Sequence, residues 1–258
     1  MTFGAYPLGD GSAEEKRLED YARSFPQRRL FSLVRPGMRV LDVGCGPGAM
    51  SHRIAGRVGS QGAVVGVDLS TAHLRAAARR VPDGEFVLGD GTSLPFEDDS
   101  FDLAFAKLVM AYVSSPEQMA AELLRVVRPG GNVVVADMDG GAFLFDPADS
   151  VVARGWKFVE QMFWSGGADP WIGRRIPGLL RKAGLTSMRI ATTDACGHDH
   201  SPEMRVALRR QVRGMLMALR RCHELDDPEL DLLVEALDGD AAGEFMAMGG
   251  VTVSGRVP

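Results

Sequence analysis

The stretch that most constrains this chain is Val40–Gly48, which reads Val-Leu-Asp-Val-Gly-Cys-Gly-Pro-Gly. Its first four residues are mostly β-branched or aliphatic, which predicts a short buried strand. Glycine allows positive φ and a close approach of the backbone to a ligand, and it recurs here at Gly44, Gly46 and Gly48. The pattern therefore predicts a strand that runs directly into a ligand-binding glycine loop.

A second short apolar strand, Ala63–Asp68, ends in a carboxylate. In a βαβ nucleotide-binding unit the second strand lies beside the first. An acid about 20 residues after the glycine turn then accepts hydrogen bonds from the ribose hydroxyls. Asp68 has that place in this sequence. The two strands together predict a ligand that carries a ribose.

Two classes of ribose-containing cofactor fit the glycine loop. Gly44, Gly46 and Ala49 satisfy the looser G-x-G-x-x-A fingerprint, so a NAD-dependent oxidoreductase stays a candidate. Pro47, however, removes one backbone N–H from the loop, and loops that bind a pyrophosphate do so through such groups. The proline favours a ligand without phosphates.

Five motifs in this region resemble, in order and spacing, those of class I S-adenosylmethionine-dependent methyltransferases. They are Asp42–Gly48, Asp68, Gly89–Gly91, Leu94–Asp102 and Arg125–Gly131. The likeness covers residues 37–137 and points to the branch of quinone-biosynthesis and natural-product methyltransferases. It implies S-adenosyl-L-methionine as cofactor. It also implies an α/β fold with a Rossmann-like doubly wound sheet, mostly parallel with an antiparallel last strand, plus helical cap insertions.

The same resemblance implies which residues contact the cofactor. Asp42 and the glycine loop fall on the methionine side, Asp68 on the ribose diol, and Asp90 on the adenine amino group. Gly91 would let its backbone approach the adenine ring. The full set of implied cofactor contacts is Tyr21, Asp42, Gly44, Cys45, Gly46, Gly48, Asp68, Leu69, Asp90, Gly91 and Lys107.

Three of these positions have a second interpretation. Tyr21 lies among apolar residues on one face of a predicted helix, which favours packing over the sheet edge, although a helix here often lids the cofactor in the resembled family. Lys107 could extend its ammonium group to water, and Asp90 could belong to a simple Asp-Gly turn.

Strand and helix signals alternate along the chain, as in a doubly wound parallel sheet. Ser12 and Glu15 form a capping-box pattern that predicts a helix to about Val34, divided by Pro26. The β-prone segment 245–253 is the candidate for the antiparallel last strand, which a nicotinamide fold would not need. The predicted division is a helical lid at 1–35, a cofactor-binding core at 36–137, an aromatic-rich cap at 138–172, and the rest of the sheet at 173–258 with a helical insertion at about 201–238.

Composition limits the partners and the location. The 258 residues are 45% hydrophobic, enough for a sizeable core, and the net charge of −5 argues against nucleic acid as a partner. The sequence shows no signal peptide and no apolar run near 18 residues, so we expect a cytoplasmic protein without membrane insertion. The arginine-rich helix predicted at 202–223 is interpreted as a solvated face or a subunit contact, which leaves a homodimer open.

Less specific signals in the sequence predict which residues contact the methyl acceptor. All three tryptophans lie within the aromatic- and methionine-rich stretch 143–171, which is placed to cover the site. Apolar walls suit a hydrophobic acceptor, although this stretch could also be a second small core. The candidate substrate contacts are Tyr112, Phe143, Phe163 and Trp164.

The candidate catalytic residues are His198, His200, Tyr112 and Asp139. Tyr112 could instead pack structurally, and Asp137 or Asp139 could only cap a loop. The histidines could bind a metal with Cys196, but no second ligand cluster is visible, so we expect no metal.

A sulfonium methyl is already electrophilic, so positioning matters most, and a base matters only for a hydroxyl or amine acceptor. We expect methyl transfer to a small apolar or aromatic acceptor in secondary metabolism. The alternatives are a cofactor-binding enzyme that does not methylate, such as a cyclase, and the NAD-dependent oxidoreductase.

Overall fold

The computed structural model describes residues 6–24, 28–194, 202–239 and 245–258. The strands of this part of the chain are β1 Arg39–Val43, β2 Ala63–Asp68, β3 Glu85–Leu88, β4 Phe101–Lys107, β5 Val127–Met138, β6 Leu144–Asp146, β7 Thr186–Asp194, β8 Phe245–Ala247 and β9 Gly249–Arg256. The α-helices are α1 Ser12–Ser24, α2 Arg28–Leu33, α3 Ala49–Val58, α4 Thr71–Arg80, α5 Pro116–Arg125, α6 Val151–Gly166, α7 Ile176–Ala183, α8 Pro202–His223 and α9 Pro228–Ala236.

Seven strands form one sheet in the order β3-β2-β1-β4-β5-β9-β7. The first five in the chain are parallel, while β9 runs antiparallel between β5 and β7. This arrangement confirms the predicted doubly wound sheet with an antiparallel last strand. The strand order reverses between β1 and β4, and open α/β sheets bind ligands at the carboxyl ends of the strands at such a point.

Both faces of the sheet are buried, which explains why the parallel strands read as nearly continuous apolar runs. Because side chains alternate along a strand, Val40 and Phe105 pack on one face with Ile54 of α3. Leu41 packs on the other face, in the cluster that includes Leu123 of α5. Helices therefore cover both sides and leave the strand ends for a ligand.

A further apolar cluster joins α6, α8 and α9 to the start of the chain. Trp156 and Phe163 of α6 contribute its aromatic rings, and Leu216 of α8 and Leu8 are fully buried in it or nearly so. The two stretches expected as separate insertions, at 138–172 and about 201–238, thus pack together. We call this body the helical cap.

The basic face of α8 is partly an intramolecular contact. Arg213 pairs with Asp238 and Arg220 with Asp231, each with a nitrogen to oxygen distance of 2.6 Å. Arg209 donates to the carbonyl of Ala236 at 2.8 Å. Acidic groups on and after α9 thus bind arginines that the sequence pattern assigned to solvent or to a second subunit.

None of the described helices is both long enough and apolar enough to span a bilayer.

Two elements begin at positions that their local sequence does not indicate. β5 begins at Val127, ahead of Pro129 and two glycines, because Val127 already pairs with Phe101 across an irregularity in the ladder. The segment after Trp171 begins as a 3-10 turn at Ile172–Arg175, and the α-helix starts at Ile176 with Pro177 in its first turn. Proline suits this position because its missing N–H would have no intrahelical partner there.

Candidate cofactor site

The glycine loop between β1 and α3 follows a backbone path that side chains would obstruct. Gly44 has φ of 66°, and a Cβ atom there would lie 2.3 Å from Cγ2 of Val109. Gly48 has φ of 77°, and its Cβ would lie 2.9 Å from Cα of Ala77 in α4. The loop therefore needs glycine both for its left-handed conformation and for its close contact with neighbouring segments.

Asp68 at the end of β2 joins the glycine loop to the start of α4. Its Oδ2 accepts a hydrogen bond from the N–H of Gly46 at 2.8 Å, and its Oδ1 accepts one from the N–H of Ser70 at 2.9 Å. An ionised carboxylate has about four acceptor positions. Each oxygen of Asp68 therefore has a second acceptor position beyond the backbone donor it binds, which suits the two hydroxyls of a ribose diol.

Electrostatics keep Asp68 ionised. Burial alone would raise the pKa of this carboxyl group, but His73 and the two backbone donors lower it below its ordinary value. The Nδ1 atom of His73 lies 3.6 Å from Oδ1 of Asp68. His73 was not among the residues predicted from the sequence. A histidine in the first turn of the helix that follows Asp68 is a signal that could have found it.

Ser70 caps α4 as the sequence predicted, because its Oγ accepts the N–H of His73 at 3.1 Å. The same hydroxyl donates to Oδ2 of Asp10 at 2.5 Å. We expect Ser70→Ala to lower the free energy of unfolding by about 1 kcal/mol, the usual contribution of an N-cap. Urea denaturation measures this, with Ser70→Thr as the matched control that keeps the hydroxyl. Equal stability of the alanine variant and the wild type would contradict the assigned cap.

Asp42 lies beneath the loop and is 2% exposed. Its Oδ2 accepts a hydrogen bond from Oγ of Ser51 at 2.6 Å, so it holds the first turn of α3. Burial raises the pKa of Asp42 to about 7, against the opposing effect of the Ser51 hydrogen bond. Ser51 was not among the residues predicted from the sequence. Its only signal there is that a polar residue occupies the buried face of α3.

Lys107 ends β4 beside the glycine loop and is half-buried. Burial, together with the nearby charge of Arg53, lowers the pKa of its ammonium group to about 8, against the opposing effect of Asp42. This end of the site therefore combines a carboxyl group and an amine whose charges influence one another. Such a pair suits a ligand end that carries both an amino and a carboxylate group.

The residues expected at the adenine lie at the open edge of the site. Oδ1 of Asp90 accepts hydrogen bonds from the N–H and the Oγ1 of Thr92, both at 2.8 Å. Leu69 is 67% exposed, so its side chain is available to cover an aromatic ring. A Cβ atom on Gly91 would lie 3.0 Å from Cγ1 of Val43, which keeps this turn close to the end of β1.

The N-terminal segment, residues 6–20, lies over the glycine loop. Leu18 Cδ1 would be 3.7 Å from a Cβ atom on Gly46. Arg80 donates to the carbonyl of Pro47 at 3.0 Å and pairs with Glu19 of α1. The segment thus covers the site, and a separate buried network, Tyr6, Glu14, Arg17 and Gln211, ties it to the helical cap. The side chain of Tyr21, the predicted cofactor contact in this helix, lies outside the described residues.

Comparisons with known proteins match this geometry. Residues 40–131, from β1 into β5, match the family described as a methyltransferase domain. This stretch carries a methyltransferase domain. The cofactor of this family is S-adenosyl-L-methionine, and the glycine loop and the two acceptor positions of Asp68 fit its ribose and its lack of phosphates.

Two relatives of the methyltransferase domain illustrate its range. A demethylmenaquinone methyltransferase of Renibacterium salmoninarum is 43% identical over 108 residues, which are 42% of this chain and 44% of the relative. Methyltransferase GfsG of Streptomyces halstedii is 38% identical over 171 residues, 61% of this chain and 56% of the relative. The chain spans about half the length of these relatives.

Solved structures show the same fold. The complex between the Haloferax volcanii Trm112 methyltransferase activator and a methyltransferase contains a chain with a TM-score of 0.62 at 19% identity, with 96% of this chain and 95% of that chain covered. The [4+2]-cyclase SpnF has a TM-score of 0.56 at 21% identity, with 100% and 86% covered.

The candidate acceptor residues separate into two groups in the structure. Tyr112 contacts both Tyr6 and Phe163 edge to face, with ring centroids 5.1 and 5.6 Å apart. We call these three rings the aromatic column. Phe143 instead packs on Trp156 with centroids 4.4 Å apart inside the helical cap. Trp164 is 49% exposed and contacts Trp171 at the surface.

The carboxylates that follow β5 are held by specific partners. Asp139 accepts hydrogen bonds from Nε and Nη2 of Arg174 at 2.7 to 3.0 Å. Asp137 is buried and accepts hydrogen bonds from the N–H of Met138 at 2.9 Å and of Ala111 at 3.4 Å. Burial raises the pKa of Asp137 to about 7. Asp137 thereby anchors the segment after β4.

The predicted catalytic histidines, His198 and His200, lie outside the described residues, as does Cys196. Within the described part of the chain, no three or more histidine, cysteine, aspartate or glutamate side chains are grouped so that they could hold a metal ion.

Proposed function

We propose that this chain binds S-adenosyl-L-methionine and transfers its methyl group to a small apolar or aromatic acceptor. The observation that carries the proposal is the geometry of Asp68. Its two oxygens each bind one backbone N–H and each keep a second acceptor position, directly beside a glycine loop that contains a proline. This arrangement suits a ribose diol on a ligand without phosphates.

The other cofactor contacts in the proposal follow from charge and exposure. Lys107 and Asp42 lie at the end of the site that would receive the amino acid part, where their charges complement its carboxylate and ammonium groups. Leu69 and Asp90 lie at the edge that would receive adenine. When bound, the cofactor supplies a methyl group on a sulfonium, which is electrophilic without further activation.

The residues of this chain would then act mainly by positioning the acceptor and excluding water. Correct orientation of two reactants can contribute about 7 to 11 kcal/mol. Within the aromatic column, Tyr112 is the proposed acceptor contact, since its ring provides apolar surface and it also offers a hydroxyl, whereas Phe163 is fully buried and supports the ring. Relatives named for demethylmenaquinone support a quinone or similar ring as the acceptor class.

A dedicated base is not part of the proposal. Both carboxylate oxygens of Asp139 are already bound by the Arg174 guanidinium, at distances of 2.7 to 3.0 Å. Tyr112 remains the candidate for contact with an acceptor hydroxyl. If the acceptor must lose a proton, a base would contribute about 10²- to 10⁴-fold.

Calorimetric titration with S-adenosylmethionine, S-adenosylhomocysteine and NADH in parallel tests the cofactor. We expect the first two to bind and NADH to show no heat of binding. Binding of NADH alone would refute the proposal and favour the oxidoreductase alternative. Asp83→Ala is a suitable control protein, because it removes a carboxylate from an exposed turn at the opposite edge of the sheet.

Incubation with cofactor carrying a deuterated methyl group, and a panel of quinones and phenols, tests the transfer itself. We expect a product that retains the label, detected by mass spectrometry, together with S-adenosylhomocysteine. Cofactor binding with an acceptor that is rearranged but unlabelled would instead support the cyclase-like alternative, a chemistry that the SpnF structure shows this fold can host.

A further inference from the structure

The buried imidazole of His73 has no role in the cofactor contacts described so far. We propose that His73 is a positioning residue for the cofactor's ribose: it holds the Asp68 carboxylate in place for the diol, and it does so while its ring is protonated. The inference rests on the proposed function, because it assumes that Asp68 receives a ribose.

The geometry favours a charge interaction between the two side chains. His73 is the third residue of α4, and its ring is 3% exposed. Its Nδ1 lies 3.6 Å from Oδ1 of Asp68, which is longer than a hydrogen bond but within the range of an ion pair. The ring therefore attracts the carboxylate while leaving its second acceptor position available, and the attraction is strongest when the imidazole is protonated.

The other ring nitrogen shows that packing alone does not explain this histidine. Nε2 is buried and makes no hydrogen bond to any described residue. A buried polar atom without a partner destabilises the folded state. A residue whose only role was to fill space would avoid this cost with an apolar side chain. The charge pair with Asp68 is the contact that offsets it.

Several charged and titratable groups face His73 from the elements packed around it. Asp68 lies at the end of β2, and Asp10 and Tyr6 belong to the N-terminal segment. The Tyr6 ring centroid is 6.4 Å from that of the imidazole. Glu14 of α1 also acts on the ring, although Glu14 itself pairs with Arg17.

The local excess of negative charge favours the imidazolium. Burial by itself would lower the pKa of His73, but Asp68 first, and then Asp10 and Glu14, raise it above its ordinary value. The ordinary value of histidine is about 6.5. The charge pair is therefore fully formed below about pH 6.5 and is lost as pH rises through the raised pKa.

Loss of the proton would remove the attraction between the imidazolium and Asp68 and leave the repulsion between Asp68 and Asp10 without the positive ring, while the two backbone donors still bind Asp68. Binding of a ribose diol is then expected to weaken as the pH rises from neutral. Because the ligand would favour the protonated form, binding near the pKa of His73 is also expected to take up protons.

The probe for this inference is 5′-methylthioadenosine, which carries adenine and the ribose diol but lacks the titrating amino acid part. Its dissociation constant is measured by calorimetry between about pH 6 and pH 9, the range in which a histidine with a raised pKa titrates. We expect the wild type to lose affinity about threefold or more across this range. We expect His73→Gln to bind weakly at all these values and to depend on pH less than the wild type, because only Asp42 and Lys107, with pKa values of about 7 and about 8, still titrate in the site. His52→Gln, at an exposed histidine in α3, is the matched control and should follow the wild type.

A His73→Gln protein with the same pH profile as the wild type would overturn the inference. If that variant does not fold, proton uptake by the wild type, measured from binding heats in buffers of different ionisation enthalpy, decides the matter. Absence of proton uptake with 5′-methylthioadenosine would overturn it. The 2′,3′-dideoxy analogue should depend on pH less than the probe does. Failure of the wild type to bind the probe at any pH would instead refute the proposed cofactor site itself.

Discussion

The Asp68→Ala variant is expected to bind S-adenosylhomocysteine more weakly than the wild type by about 1.5 to 3 kcal/mol, or roughly 10- to 150-fold, the range for hydrogen bonds to a charged group. The substitution removes both acceptor positions proposed for the ribose diol. It also leaves the N–H groups of Gly46 and Ser70 without their acceptor, so the glycine loop loses its connection to α4. Calorimetric titration gives the dissociation constants directly.

A control variant for Asp68→Ala shows whether affinity falls because of this position or only because one negative charge is lost. Asp83→Ala removes the same charge at the exposed turn before β3, and we expect it to bind as the wild type does. A thermodynamic cycle with 2′,3′-dideoxy-5′-methylthioadenosine isolates the diol contact, because the analogue without hydroxyls should lose only the affinity that depends on the glycine loop, and so less than the ribose ligand. Full affinity of Asp68→Ala for the ribose ligand would refute the assignment.

Gly44→Ala is expected to destabilise the folded protein more than any other single change proposed for this site. A non-glycine residue in the left-handed region costs about 1 to 3 kcal/mol, and overpacking adds about 1 to 3 kcal/mol. Both apply here, since φ is 66° and the new Cβ would lie 2.3 Å from Val109. Urea denaturation measures the loss, which we expect to be about 2 to 6 kcal/mol in total.

Gly37→Ala is the matched control for this substitution. Its φ is 81°, but a Cβ atom there would have nothing within 4 Å, so only the backbone cost applies. The double variant Gly44→Ala with Val109→Ala should recover part of the lost stability, because it removes the methyl groups that clash. Equal destabilisation by Gly37→Ala and Gly44→Ala, with no recovery in the double variant, would contradict the assigned contact.

The strands and their order were largely predictable from the sequence. Short apolar runs followed by glycine or aspartate predicted β1, β2 and β3, and α1 ends at Ser24 while α2 begins at Arg28, as Pro26 indicated. The start of β5 was not predictable, because the segment 127–131 contains a proline and two glycines and becomes a strand only through the pairing of Val127 with β4 and the backbone hydrogen bonds of Gly130 and Gly131 with Val257. Local propensity is weaker than tertiary pairing at such a boundary.

The acids of the site could be placed at one edge because they follow parallel strands. The side chains that contact these acids could not be predicted in the same way. Ser51, His73 and Arg174 reach Asp42, Asp68 and Asp139 from helices or turns, and which face of such an element meets the sheet depends on packing across the whole layer. The aromatic candidates show the same limit, since spacing did not distinguish the buried Phe143 from the exposed Trp164.

The sequence by itself determined the doubly wound sheet, the glycine loop and the place of Asp68 at the end of β2, because these follow from local patterns with a fixed geometry. The tertiary structure alone decided how the N-terminal segment, the helical cap and α4 close around that frame. Contacts such as Tyr6 with Tyr112, or His73 with Asp68, join residues whose distance depends on every element packed between them. Positions along the chain specify the strand ends, whereas only packing specifies which side chains face them.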